Sequence, residues 1–125
     1  MNAHSPAYSN ATGTFSADSV IAHKFGGSSV ANAERYRHVA RLLGALNDPI
    51  QVTVVSAMKG VTDALIALAD AAGNSADWPT PLHTLHEKHR TAARELLGSH
   101  ADPTLAWLDE QFQQLSAVLS AIALL

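Results

Sequence analysis

Two short apolar runs each break off into a glycine-bearing turn, and a helical pattern follows each. The first is Val20-Ile21-Ala22-His23-Lys24-Phe25, which stops at Gly26-Gly27-Ser28-Ser29. The second is Ile50-Gln51-Val52-Thr53-Val54-Val55, which stops at Ser56-Ala57-Met58-Lys59-Gly60. Branched apolar residues bounded by turn formers read as strands. A strand, a helix and a second strand imply a parallel pair joined by a right-handed crossover. In an open sheet of that kind, ligands bind beyond the carboxyl ends of the strands. Both glycine turns are expected there.

The remaining elements follow from spacing. The first strand is expected over Ser19 to Phe25. A helix is expected from about Asn32 to Leu46, with Asn32 as N-cap and Tyr36, Val39, Ala40, Leu42, Leu43 and Leu46 on its apolar face. Asn47-Asp48-Pro49 ends it. The run Ile50 to Val55 has almost no charge and suits a strand buried on both faces. A second helix is expected to take Thr62 or a residue nearby as its cap and to run to Gly73. After a loop over Gly73 to Pro81, apolar positions at helical spacing predict a helix from Leu82 to Leu97, with Gly98 as C-cap. Asp102 and Pro103 suit the N-cap and first position of a last helix, which completes a helical hairpin.

Composition excludes several classes. The formal net charge is −3 and there is no basic block, so a nucleic-acid surface is not expected. No apolar run reaches the roughly 18 residues of a membrane span. The absence of cysteine removes disulfide and thiolate chemistry. Residues 1–18 carry no positive charge and no apolar stretch of signal type, and are expected to be a mobile tail. Residues 19–125 are expected to form the folded part, in the cytoplasm. The segment Ser116 to Leu125 is apolar and has no capping glycine or polar tail, so the chain reads as a piece of a longer one.

The first turn has the chemistry of a phosphate cradle. Gly26 and Gly27 let an anion approach the backbone without a Cβ in the way. Consecutive N–H groups can form a nest, and the following helix is expected to aim its positive end there. Lys24 at the strand end can place its ammonium on a phosphoryl group in transfer. The string is neither a Walker A nor a G-x-G-x-x-G motif, and alone it fits a flexible turn with a surface lysine equally well. At the second turn, Ser56 and Thr62 offer hydroxyls to the same crevice if the chain reverses at Gly60. Taken singly, Thr62 reads as a cap and Lys59 as a solvated loop residue.

Together the segments Lys24 to Ala40 (KFGGSSVANAERYRHVA) and Val54 to Ala69 (VVSAMKGVTDALIALA) resemble the aspartokinase family of the amino-acid kinase superfamily. The first resembles that family's KFGG[ST]S opening and first helix, and the second its S-x-x-x-G-[IV]-T turn. The Ala31 to Arg37 stretch and the helical hairpin are most similar to the bifunctional branch, in which the kinase is fused to homoserine dehydrogenase. The resemblance implies a partial three-layer α/β/α kinase fold. It also implies ATP-dependent phosphorylation of the L-aspartate β-carboxylate, the first step towards lysine, threonine and methionine. ATP with Mg2+ and L-aspartate are the implied ligands, with NADP only if a dehydrogenase domain follows. Lys24 matches the catalytic lysine. Lys24, Gly26, Gly27 and Ser28 match the ATP phosphate-binding loop, and Ser56 and Thr62 match the aspartate-binding hydroxyls. The family's arginine–glutamate motif is missing, so this stretch is expected to be inactive alone. A homo-oligomer is expected, and no resident metal.

Two alternatives stay open. One is a kinase of the same superfamily for acetylglutamate or glutamate. The other is a non-catalytic module whose helical hairpin binds a partner helix. His83, His86 and His89 recur on one helix but lack a metal-protease spacing, and read as a polar face. Trp78 and Trp107 read as packing anchors, and His23 as a packed strand residue.

Overall fold

In the computed structural model, residues 8–10, 13–15, 20–46 and 50–125 are described. Strands β1 (Tyr8–Asn10) and β2 (Gly13–Phe15) pair antiparallel with each other inside the segment expected as a tail. Strand β3 (Val20–Phe25) and strand β4 (Ile50–Val55) pair parallel, with Val20 opposite Ile50 and Phe25 opposite Val55. Helix α1 (Ala33–Gly44) connects them. Helix α2 (Val61–Gly73) follows β4, and α3 (Pro79–Leu97) and α4 (Asp102–Ala123) form the hairpin. The result is a partial α/β fold: a short parallel sheet with flanking helices and a C-terminal helical hairpin.

The helix starts deviate from the sequence reading for identifiable reasons. Asn32 caps α1 as expected, its Oδ1 accepting from the Arg35 N–H at 3.0 Å. Helix α2 is capped by Gly60 instead of Thr62, because Gly60 takes a left-handed φ of 81° that makes the reversal one residue ahead of Val61. Helix α3 begins at Pro79, three residues before the expected Leu82. Prolines are tolerated in a first turn, whose N–H groups have no intrahelical acceptor. Asp77 Oδ1 accepts the Thr80 N–H at 3.2 Å, which helps to cap the early start. Helix α4 likewise starts one residue early, with Ala101 at the cap and Asp102 inside. Gly98 closes α3 at φ 53° and leads through a 3-10 turn (Gly98–His100) to α4. Ser19 and the Asn47-Asp48-Pro49 break lie outside the described residues.

The core lies between helices. Met58, Val61, Leu68, Ala72, Leu82, Leu85 and Leu119 form one buried cluster, with Tyr36, Phe112 and Ile122 packed against it. Helix α3 packs along α4, α2 packs on both, and α1 reaches α3. Strand β4 is not buried on both faces as its composition suggested: Val52, Val54 and Val55 are about half exposed. Two strands are too few to hold a layer of helices on each face. Trp78 is half-buried against the core, whereas Trp107 is exposed and anchors nothing. Of the three histidines expected on a polar face, His83 is exposed, and His86 and His89 are half-buried. The His86 ring stacks on Phe112 at 4.4 Å, and its Nε2 is 2.8 Å from Asp109 Oδ1. His89 Nδ1 bonds the Leu85 carbonyl oxygen at 2.8 Å. No helix among the described residues is long and apolar enough to cross a membrane.

Candidate functional site

The parallel register brings the two glycine turns together at the carboxyl edge of the sheet. Phe25 pairs with Val55, and the next rung is the Ser56 N–H donating to the Phe25 carbonyl at 3.0 Å. Both chains therefore leave the sheet side by side. The first turn closes tightly, with the Ser29 N–H donating to the Gly26 carbonyl at 2.9 Å. The second closes through the Val61 N–H donating to the Met58 carbonyl at 3.1 Å. Met58, buried in the helical core, holds this second turn down.

Gly27 is where the turns meet. A Cβ on Gly27 would lie 3.3 Å from the Ala57 carbonyl oxygen, 3.5 Å from Lys59 Cα and 3.5 Å from Ser56 Oγ. Only a residue without a side chain lets the turns approach this closely without adjustment. Gly26 differs: nothing lies within 4 Å of the place its Cβ would occupy, so its backbone faces open space.

Each residue expected at the site has a definite place. Lys24 is exposed on β3, opposite Val54 and one residue from the strand end. Alternation puts it on the sheet face of Ala22 and Val20, away from half-buried His23 and Phe25. Ser28 is exposed in the first turn. Ser56 is the first residue past β4, and its hydroxyl donates to the Ala57 carbonyl at 2.8 Å. Thr62 is exposed in the first turn of α2. The structure thus joins Gly27 to Ser56 directly. Among the described residues, no hydrogen bond links Lys24 to Ser56 or Thr62.

Both turns lead into helix N-termini, and the two differ in capping. The α1 N-terminus is separated from Gly27 by Ser28 to Asn32, and Asn32 already caps it. Helix α2 starts directly after Gly60, and no side chain caps it. A helix end without a side-chain cap, with its partial positive charge, therefore opens directly from the second turn. Because Gly60 makes the reversal, the Thr62 hydroxyl is released from the capping role first read for it. The available signal was Gly60 itself, a residue suited to the left-handed cap.

Among the described residues, no group of three or more His, Asp or Glu side chains is arranged to hold a metal ion. An exposed ammonium, glycine backbone and a helix end without a side-chain cap are groups that favour anionic ligands.

Residues 19–121 match the model of the amino acid kinase family. The chain belongs to that family. Within it, the chain is 39% identical over 102 residues to bifunctional aspartokinase/homoserine dehydrogenase 2, chloroplastic, of Arabidopsis thaliana, covering 80% of this chain and 11% of that protein. It is 36% identical over 104 residues to bifunctional aspartokinase/homoserine dehydrogenase 1, chloroplastic, of Zea mays, covering 80% and 11%. It is also 33% identical over 106 residues to aspartokinase 3, chloroplastic, of Arabidopsis thaliana, covering 82% and 18%. This amino acid kinase chain therefore spans less than a fifth of the length of these relatives.

Proposed function

We propose that this chain contributes the first strands and ligand turns of an aspartate kinase, of the branch fused to homoserine dehydrogenase. Membership of the amino acid kinase family and the printed names of the relatives support the reading. The observation that carries it is the close approach of the two turns at Gly27, where a Cβ would lie 3.3 Å from the Ala57 carbonyl oxygen and 3.5 Å from Lys59 Cα and Ser56 Oγ.

In this reading the open backbone at Gly26, with Gly27 and Ser28, receives the phosphates of ATP, which enters as its Mg2+ complex. Ser56 and Thr62 hold L-aspartate. A β-carboxylate oxygen attacks the γ-phosphorus, the bond from that phosphorus to the bridging oxygen breaks, and ADP leaves with the electron pair. The product is an acyl phosphate. No proton has to move, so the protein's task is positioning and charge stabilisation. Lys24 supplies positive charge to the phosphoryl group in transit, and the uncapped end of α2 favours the aspartate carboxylates.

Titration of the isotope-labelled chain, followed by backbone amide resonances, tests the reading. MgATP is expected to move Gly26, Gly27 and Ser28, and L-aspartate to move Ser56 and Thr62. L-glutamate and N-acetylglutamate should leave the second turn unmoved. Silence of both turns to MgATP and L-aspartate overturns the proposal, and a response to N-acetylglutamate in place of aspartate reassigns the acceptor. An ADP-release assay on the 125-residue chain is expected to show no turnover, because the family's arginine–glutamate motif is missing from it.

A further inference from the structure

The second turn is attached to the helical hairpin by a contact that motif and spacing do not foreshadow. Lys88 on α3 extends its Nζ to the backbone carbonyl oxygen of Lys59 at 2.6 Å, across 29 positions of sequence. We infer that Lys88 is a positioning residue for the acceptor turn, orienting the peptide that leads into Gly60 and thereby the start of α2. The inference rests on the reading of Ser56 and Thr62 as the aspartate side of the site.

The Lys59 peptide is the pivot of the turn. Before it, Met58 is anchored in the core; after it, Gly60 swings to φ 81° and α2 begins. Rotation of that one peptide re-aims the first-turn N–H groups of α2 and Thr62 without disturbing Met58. Gly27 lies beside the same residue, where a Cβ would come 3.5 Å from Lys59 Cα, and so limits its translation. A hydrogen bond to the carbonyl limits its rotation. An ammonium is a strong donor for this purpose, since charge-assisted bonds exceed neutral ones.

The surroundings leave Lys88 free for that bond. The neighbouring Glu87 carboxylate is engaged by Arg90 Nε at 3.4 Å and Arg94 Nη1 at 3.5 Å. Glu95 lines the same cavity of about 340 Å³ as Lys88 and Met58, yet forms no ion pair with Lys88 among the described residues. On an exposed helix the default partner of a lysine is a nearby carboxylate. Here the default is displaced by a distant backbone carbonyl that belongs to the ligand edge.

The test uses Lys88→Met, which keeps the apolar stem and removes the donor, and Lys88→Arg, which restores a donor. Amide exchange and ligand titration are read on the same labelled samples. In Lys88→Met, exchange at Val61 and Ala64, whose N–H groups donate to the Met58 and Gly60 carbonyls, is expected to quicken about three- to tenfold, the range left to a partly solvated charged hydrogen bond. Exchange at Leu119 in the core should not change. The L-aspartate Kd is expected to rise by a similar factor, with the MgATP response at Gly26 and Gly27 unaltered. Lys88→Arg is expected within twofold of the parent. If Lys88→Met lost the fold, seen as faster exchange at Leu119, Lys88→Ala, which has no donor either, would carry the same expectations. Parent-like exchange and parent-like aspartate affinity in Lys88→Met overturn the inference while leaving the acceptor reading standing. If the parent chain itself ignores aspartate, the acceptor reading falls, and with it the positioning role; the exchange measurement then reports a tether alone.

Discussion

Replacing Gly27 by valine asks whether the two turns depend on their close approach. The magnitude can be worked from the distances. The backbone of Gly27 does not need a positive φ, so conformational strain is not the issue. A single Cβ would meet the Ala57 carbonyl oxygen at 3.3 Å, a few tenths of an ångström closer than ordinary contact. In Gly27→Ala that crowding is offset by the reduced freedom of the unfolded chain, worth about 0.4–1 kcal/mol. The net change in stability should be near zero. Two further methyls in Gly27→Val have nowhere to go between Ala57, Lys59 and Ser56. Overpacking of this kind costs about 1–3 kcal/mol. The Ser56 amide, bonded to the Phe25 carbonyl at 3.0 Å, should lose protection as the turns separate. Gly26→Ala is the control, because its Cβ would point into open space. Urea unfolding with amide exchange at Ser56 measures both effects. The reasoning is refuted if Gly27→Val matches Gly26→Ala in stability and leaves Ser56 as protected as before.

Other outcomes are checked more simply. Thr62→Ala should change the urea midpoint stability by less than about 0.5 kcal/mol, since Gly60 and not Thr62 starts the helix, yet it should abolish the aspartate response at the second turn. Leu68→Ala removes a side chain that is 2% exposed in the helical core; a loss of about 2–5 kcal/mol is expected by urea unfolding. Asp109 tests the electrostatics of the hairpin. The hydrogen bond from Arg90, aided by His86, holds its carboxyl below the usual value. A depressed carboxylate favours the folded state above the usual carboxylate range, and that contribution is lost as pH falls through the folded-state value. The melting temperature should therefore decline below about pH 4, and Asp109→Asn should flatten the Asp109-dependent part of that decline.

Local chemistry made much of the fold readable. Asn32 as a cap, Gly98 as a helix stop and the two strand–turn junctions depend on short-range sterics and hydrogen bonding, which travel with the residues themselves. The start of α3 was misjudged because Pro79 and Pro81 were read as loop formers, although a first helical turn has no use for their missing N–H groups. The exposure of Val52, Val54 and Val55 was unreadable for another reason. Burial is a property of what packs on a strand, and composition reports only what the strand could tolerate.

The candidate site divides along the same line. Residue types alone determined that an ammonium near the end of one strand is followed by two adjacent glycines, and that two hydroxyls follow the other strand, because each of those features is local. The tertiary structure decided that Gly27 lies against the second turn and that Lys88 reaches the Lys59 carbonyl. Those are contacts between segments 29 or more positions apart, and no local propensity encodes them. They exist because parallel register and the helical core bring the segments within bonding distance.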